Sequence, residues 1–173
     1  MLVKSLVFFV RQCYTVCVID YSKFEKSLQH LDAQFRNYQN DGRMAALLEL
    51  DRQAIGESVI QRFEICYDCL WKVLKRYLAE DLGLPELPNS PKPLLRIAFE
   101  NQLFPAVEPW LEYADARVAT SHDYSEDKAL TVLSLMDAFI ADAKMLYQRM
   151  QSPNASNQRM SGKTDNADEA KNG

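Results

Sequence analysis

The sequence predicts an all-α fold, an antiparallel helical bundle of four to five helices, and three observations lead to this prediction. Between residues 21 and 150, apolar side chains recur at steps of three and four, the spacing of one face of an amphipathic helix. Glycine is scarce, with five among 173 residues, and no segment alternates with the period of two that a strand requires. A chain of this length builds one core, so we assign the bundle domain to residues 20–150.

The first helix is predicted over residues 21–40. Ser22 and Glu25 have the spacing of a capping box at its start, and Asn40-Asp41-Gly42 is a turn signal at its end. Its expected core residues are Phe24, Leu28, Leu31, Phe35 and Tyr38. His30 lies on the opposite side of the helix and is therefore predicted to be exposed.

A longer second helix is predicted to begin at Leu47 or Asp51 and to end at Leu82, where Gly83 provides the C-cap. Its inward residues are expected to be Ile55, Val59, Phe63, Cys66, Tyr67, Leu70, Val73, Leu74, Tyr77 and Leu78. Several aromatic and basic residues of this helix also allow an interpretation as an RNA-stacking surface. They are Trp71, Lys72, Lys75, Arg76 and Tyr77. The helical spacing favours a core stripe beside a solvated basic face instead.

Prolines separate the remaining helices. Ser90-Pro91 has the pattern of an N-cap and first helical residue, and opens a short helix that reaches about Asn101. Phe104-Pro105 breaks the chain before a helix over residues 107–121, and a last helix starts at residue 123 or 125 and ends at residue 150. The core residues expected on these two helices are Val107, Trp110, Leu111, Ala114 and Val118, followed by Leu130, Leu133, Met136, Phe139, Ile140, Ala143, Leu146 and Tyr147.

Two segments flank the predicted bundle. Residues 1–19 form an apolar extension, but Arg11 interrupts the apolar run and no small-residue cleavage site follows, so we expect neither a signal peptide nor a membrane span. A start codon assigned too far upstream would explain this segment. Residues 151–173 contain almost no apolar side chains to offset the entropy of ordering, and are predicted to be a disordered polar tail.

Composition excludes several classes of protein. A net charge of -4 disfavours DNA binding driven by counterion release from the duplex. Four cysteines form no framework typical of secreted domains, and Cys66-x2-Cys69 lacks the second Cys or His pair that a structural zinc ion needs. We therefore expect a cytoplasmic protein with reduced thiols, no metal site and no membrane association.

The candidate chemistry lies at the junction of the last two helices, in the run Arg117-Val118-Ala119-Thr120-Ser121-His122-Asp123-Tyr124. An imidazole that titrates near neutrality, beside a guanidinium, a hydroxyl and a phenol, can hold a phosphate and move a proton. The structural alternative is a capped turn, in which Asp123 caps the last helix and Arg117 pairs with Asp115 or Glu112.

Helix geometry limits how Arg117 and His122 can meet. Five residues of a continuous helix turn through about 500 degrees, so the two side chains would point about 140 degrees apart. They can converge if the helix ends between them, or if two copies of the chain face each other. A twofold dimer would also supply two imidazoles, one as a base and one as an acid.

Four blocks of the sequence resemble one family. Arg117-x4-His122-x-Tyr124 resembles the R-x4-6-H signature of HEPN proteins, in the form with a tyrosine two residues after the histidine. The other blocks are similar to the nucleotidyltransferase substrate-binding branch of that superfamily. They are VIQRFE (59–64) before LWKVLKRYL (70–78), SP (90–91) before LRIAF (95–99), and WL (110–111) before DAR (115–117). In this order the resemblance covers residues 21–148.

This resemblance implies a five-helix bundle that forms a homodimer and binds a separate minimal nucleotidyltransferase, as in toxin–antitoxin pairs. It also implies an alternative function as a metal-independent ribonuclease, in which Arg117 binds the scissile phosphate and His122 handles a proton across the dimer cleft. Tyr124 would then be the residue that the partner adenylylates to silence cleavage. The supporting positions are Asp115, Thr120, Ser121 and Asp123. Val118 departs from the asparagine that the family often has after this arginine.

The chain lacks the residues that nucleotidyl transfer itself requires. No Gly-Ser precedes a paired Asp-x-Asp that could hold magnesium, and Gly56-Glu57-Ser58 falls inside a predicted helix. We therefore expect no cofactor of its own, with ATP and Mg²⁺ acting through the partner. RNA is the ligand in the ribonuclease interpretation. In a third interpretation, the chain is a helical adaptor unconnected to nucleotides, and the four matching blocks are then coincidental.

Overall fold

The computed structural model describes residues 19–120 and 126–152, which form six α-helices and contain no strand. The helices are α1 (Ser22–Tyr38), α2 (Asp41–Ala45), α3 (Glu49–Glu80), α4 (Pro91–Glu100), α5 (Glu108–Ala119) and α6 (Glu126–Gln151). The predicted all-α bundle is confirmed, with one short helix, α2, more than expected. The predicted flanking segments fall almost wholly outside the described residues, so the domain boundaries stay a prediction.

Three long helices form the frame of the bundle. α1 packs along α3 and α6, while α5 packs against α3, α4 and α6. Their shared core includes Phe63, Phe139 and Trp110, each almost fully buried. Cys66 is also buried, and that burial raises the pKa of its thiol to about 12, so it is a core residue and not a reactive thiol. His30 is exposed on α1, as predicted.

The start of α1 and the segment after it differ from the predictions. Ser22 is the first helical residue, not the cap, and its backbone N–H donates to a carboxylate oxygen of Asp20 at 2.9 Å. The hydrogen bond to Ser22 also lowers the pKa of Asp20. Asn40 ends no simple turn, since its side chain accepts a 3.0 Å hydrogen bond from the N–H of Arg43 and so caps α2. In both places a side-chain oxygen close in sequence, from Asp20 or Asn40, accepts a hydrogen bond from a backbone N–H at the start of a helix.

Two predicted core residues, Val118 and Leu130, are exposed by 59% and 55%. On α5 the buried stripe runs through Trp110, Tyr113 and Ala114, and its continuation one turn further on is Arg117. Val118 lies to one side of that stripe. Arg117 takes the position at the end of the face that packs on α3, where it pairs with acidic residues of that helix. On α6 the buried stripe begins with Val132, and Leu130 lies at its edge.

α3 ends at Glu80, with Asp81 as its C-cap, two residues before the predicted end at Leu82. Gly83 nevertheless has the left-handed conformation expected of a glycine that follows a helix. Its φ is +66°, and the N–H of Leu84 donates to the carbonyl of Leu78 at 3.1 Å. We expect Gly83→Ala to lower the free energy of unfolding by about 1 kcal/mol, because an L-residue is strained in this region although the space around it is open. Gly42→Ala is the control, since Gly42 has no positive φ. Denaturant midpoints that shift equally for the two variants would contradict this account.

Candidate functional site

The C-terminal end of α5 is fastened to α3 through Arg117. The guanidinium lies 3.2 Å (Nε) and 3.3 Å (Nη2) from the two carboxylate oxygens of Asp68, and its Nη1 lies 3.4 Å from Oε1 of Glu64. The first two contacts are the parallel, bidentate arrangement that suits a planar guanidinium. Glu64 and Asp68 are one turn apart on α3, so a single face of that helix holds the arginine.

Thr120 completes this cluster. It is only 5% exposed, and its hydroxyl lies 2.5 Å from Oε1 of Glu64 and 3.0 Å from the carbonyl oxygen of Arg117. Its backbone N–H donates to the carbonyl of Ala116 at 3.2 Å. Glu64 therefore accepts from both Thr120 and Arg117, and fixes the last turn of α5 on α3.

Among the described residues, the charge balance of the cluster is acidic. Two carboxylates face one guanidinium, and the hydrogen bond with Asp68 raises the pKa of Arg117 although burial opposes the charge. An incoming phosphate would meet an arginine that is already paired. Binding of phosphate at Arg117 therefore requires that Asp68 or Glu64 give up part of its contact.

The predicted local pairing of Arg117 is wrong. Its partners on α3 are 49 and 53 residues away in sequence, whereas Asp115 pairs with Lys92 of α4 at 2.5 Å. The supporting residues predicted from sequence thus separate: Thr120 lies in the cluster, and Asp115 joins α5 to α4. Glu64 and Asp68 were missed as site residues, although Glu64 ends one of the sequence blocks that resemble the family.

The other predicted site residues, Ser121, His122, Asp123 and Tyr124, lie outside the described residues. α5 ends at Ala119, with Thr120 as its C-cap, and α6 begins at Glu126. The helix therefore ends between Arg117 and His122, which is one of the two conditions under which their side chains can converge. Their roles stay predictions.

A groove of about 290 Å³ opens beside Arg117, between α3, α5 and the start of α4. Its lining residues are Tyr67, Asp68, Trp71, Asn89, Pro91, Ala114, Arg117 and Val118. Trp71 is half-buried, and the ammonium of Lys75 lies 5.6 Å from the centroid of its ring. Lys72 and Arg76 are exposed or half-exposed and Tyr77 is buried, as the core-stripe interpretation of this helix predicted.

Among the described residues, no group of three or more His, Cys, Asp or Glu side chains is arranged to hold a metal ion. The helices in the described ranges include none that is long and apolar enough to cross a bilayer.

The sequence and the fold are both similar to those of known proteins. A family model described as "Nucleotidyltransferase substrate binding protein like" matches residues 19–152. A Haemophilus influenzae protein named "Probable ribonuclease HepT" is 31% identical over 97 residues, which are 55% of this chain and 66% of that protein. This chain thus spans slightly less than two thirds of that relative.

Two solved structures have a similar fold. One, from Haemophilus influenzae, is described as revealing the fold of a substrate binding domain of a nucleotidyltransferase. It superposes with a TM-score of 0.67 at 22% identity and covers 77% of this chain and 100% of its own. The other, from Thermus thermophilus, has a TM-score of 0.62 at 27% identity and covers 75% of this chain and 99% of its own. Both share the helical bundle.

Proposed function

The chain belongs to the nucleotidyltransferase substrate-binding protein family, as its sequence blocks predicted, and we propose that it is the binding subunit of a complex with a separate minimal nucleotidyltransferase. In this complex the partner supplies the catalytic aspartates, Mg²⁺ and ATP, and this chain presents the residue that is modified. Two copies of the bundle form the homodimer that the partner binds.

The observation that carries this proposal is the fastening of Arg117 and Thr120 to α3 directly before residues 121–125. A short segment that joins two helices holds His122 and Tyr124, and its N-terminal end is fixed by ion pairs and a buried threonine. Loops that connect helices often carry the residues that a second protein binds or modifies. The phenol of Tyr124 is the nucleophile that a nucleotidyltransferase could adenylylate.

Co-expression with the product of the adjacent gene, which this proposal expects to be a minimal nucleotidyltransferase, tests the proposal. We expect the two proteins to co-purify, and we expect mass spectrometry to find AMP on Tyr124 after incubation with ATP and Mg²⁺. Tyr124→Phe removes the acceptor, and the half-buried Tyr38 of α1 serves as an internal control that stays unmodified. Failure to co-purify would reject the complex, and an unmodified Tyr124 in a stable complex would reject only the adenylylation.

A second function, metal-independent RNA cleavage, is favoured by one specific observation. The relative named as a ribonuclease is 31% identical to this chain over 97 residues. In this proposal Arg117 binds the scissile phosphate after it exchanges its contact with Asp68, and His122 transfers the proton. Cleavage that persists in EDTA is the expected result.

A further inference from the structure

The groove beside Arg117 contains two polar atoms whose bonding is incomplete. The hydroxyl of Tyr67 and the indole N–H of Trp71 are buried, and neither has a hydrogen-bond partner among the described residues. Tyr67 itself is only 3% exposed. Buried polar side-chain atoms nearly always have a partner in folded proteins, so two of them at one groove indicate that a ligand brings the acceptors.

The shape and chemistry of the groove restrict that ligand. A volume of about 290 Å³ accommodates one heteroaromatic base with its sugar, and is at the small end for ligand sites. Trp71 supplies an aromatic face for stacking, and the Lys75 ammonium near that ring supplies a positive charge. Asp68, half-exposed in the groove wall, can accept from an exocyclic amine.

We propose that this groove is a binding subsite for one amino-bearing nucleobase, adenine or cytosine, of a nucleotide whose phosphate is directed to Arg117. Tyr67 and Trp71 donate to the base acceptors, and Asp68 accepts from the base amine. When Asp68 turns to the base, it loosens its hold on Arg117, and the guanidinium becomes available to the phosphate. The subsite thereby deepens the proposed function, on which it rests, because it names the unit that the site recognises.

This assignment differs from the solvated face predicted for the basic residues of α3. Of these aromatic and basic residues, Trp71 alone lines the groove. Lys75 adjoins it through the ring of Trp71, whose centroid lies 5.6 Å from the Lys75 ammonium. The stacking surface is therefore a single position between two helices and not a stripe along α3.

Isothermal titration calorimetry on the full chain with AMP, CMP and UMP tests the proposal. We expect AMP and CMP to bind about tenfold more tightly than UMP, which lacks the amine that Asp68 accepts. Ribose 5-phosphate should show no measurable binding, because it has no base. Trp71 is one of two tryptophans, and the other, Trp110, is buried in the core, so quenching of the more accessible indole locates the ligand.

Two variants test whether the Tyr67 hydroxyl and the Trp71 indole N–H donate hydrogen bonds to the base. Tyr67→Phe and Trp71→Phe should each weaken AMP binding about 3- to 10-fold, whereas Tyr38→Phe, outside this groove, should leave it unchanged. An adenosine-containing single-stranded trinucleotide distinguishes the source of the base: tighter binding than AMP identifies RNA, and equal binding identifies a free nucleotide, and either supports the subsite.

No saturable binding of any nucleotide or trinucleotide would overturn the subsite, as would affinities that are unchanged in both groove variants. Saturation by an aromatic peptide with no response to nucleotides would also overturn it, and would identify a protein side chain as the occupant. Co-purification with the nucleotidyltransferase is measured separately, so failure of the subsite and failure of the proposed complex can be told apart.

Discussion

We expect expression of this chain alone to slow growth, and we expect Arg117→Ala and His122→Ala each to relieve that effect while His30→Ala leaves it unchanged. Loss of His122 as a positioned acid or base should lower the cleavage rate by about 10²- to 10⁴-fold, and loss of Arg117 removes the charge that would bind the phosphate. His30 is the matched control because it is the other of the two histidines and lies exposed on α1. Growth curves and RNA cleavage rates of the purified variants provide the measurement.

Arg117 also has a structural role, because its ion pairs join α5 to α3. The variant Asp68→Asn distinguishes this role from phosphate binding. Asp68→Asn removes the ion pair between Asp68 and Arg117 and should cost no more than about 1 kcal/mol, since Asp68 is half-exposed. Arg117→Ala also removes the less exposed ion pair with Glu64 and should cost more. If Arg117 binds phosphate, Asp68→Asn weakens the competition from α3 for the guanidinium. Cleavage of a uridine-only RNA, whose base lacks the amine that Asp68 would contact, is then retained or increased, while Arg117→Ala loses it.

Two outcomes would contradict the ribonuclease proposal. One is normal growth with intact RNA during expression of the wild-type chain. The other is equal loss of cleavage in Arg117→Ala and Asp68→Asn with equal loss of stability, because the pair would then act only as a brace for α5. Neither outcome affects the complex with the nucleotidyltransferase, which co-purification tests.

The helices could be predicted because their stripes are regular and their ends carry strong local signals. Ser90-Pro91 marks the start of α4 as predicted, and Gly83 follows the end of α3 within three residues. The errors in helix ends arise where two neighbouring residues could each serve as the capping residue. Asn40 could equally end one helix or begin the next, and the carboxylate of Asp20 displaced the expected cap at Ser22.

The site was less predictable than the fold, for a physical reason. Sequence motifs identify Arg117 and Thr120, but the partners of Arg117 depend on how α5 is placed along α3. A local pattern contains no information on that register. Glu64 and Asp68 are also ordinary acidic residues of a long helix until α5 packs beside them. The exposure of Val118 follows from the same placement, since Arg117 takes the inward position.

Phe139→Ala is expected to lower the free energy of unfolding by about 3 to 5 kcal/mol. Phe139 is fully buried on α6, and its ring contacts Phe63 at 4.9 Å, Tyr113 at 5.2 Å and Tyr67 at 6.5 Å between centroids. Its loss would leave a cavity between three helices. Phe99→Ala is the control, because Phe99 is 40% exposed on α4, and should cost less than about 2 kcal/mol. Denaturant unfolding of both variants gives the comparison.

The cavity that Phe139→Ala leaves should also weaken AMP binding in the groove, although Phe139 does not line the groove. Tyr67 immediately precedes Asp68 on α3, and Tyr113 lies one turn before Arg117 on α5, where its hydroxyl donates to Asp142 of α6 at 2.7 Å. Phe139 is thus the common support of both helices that carry the ion pair. We expect Phe139→Ala, while still folded, to bind AMP more weakly, and Phe139→Leu to restore most of the affinity, since it refills most of the volume. Unchanged affinity in a destabilised Phe139→Ala would show that the ion pair alone holds the register of α5 on α3.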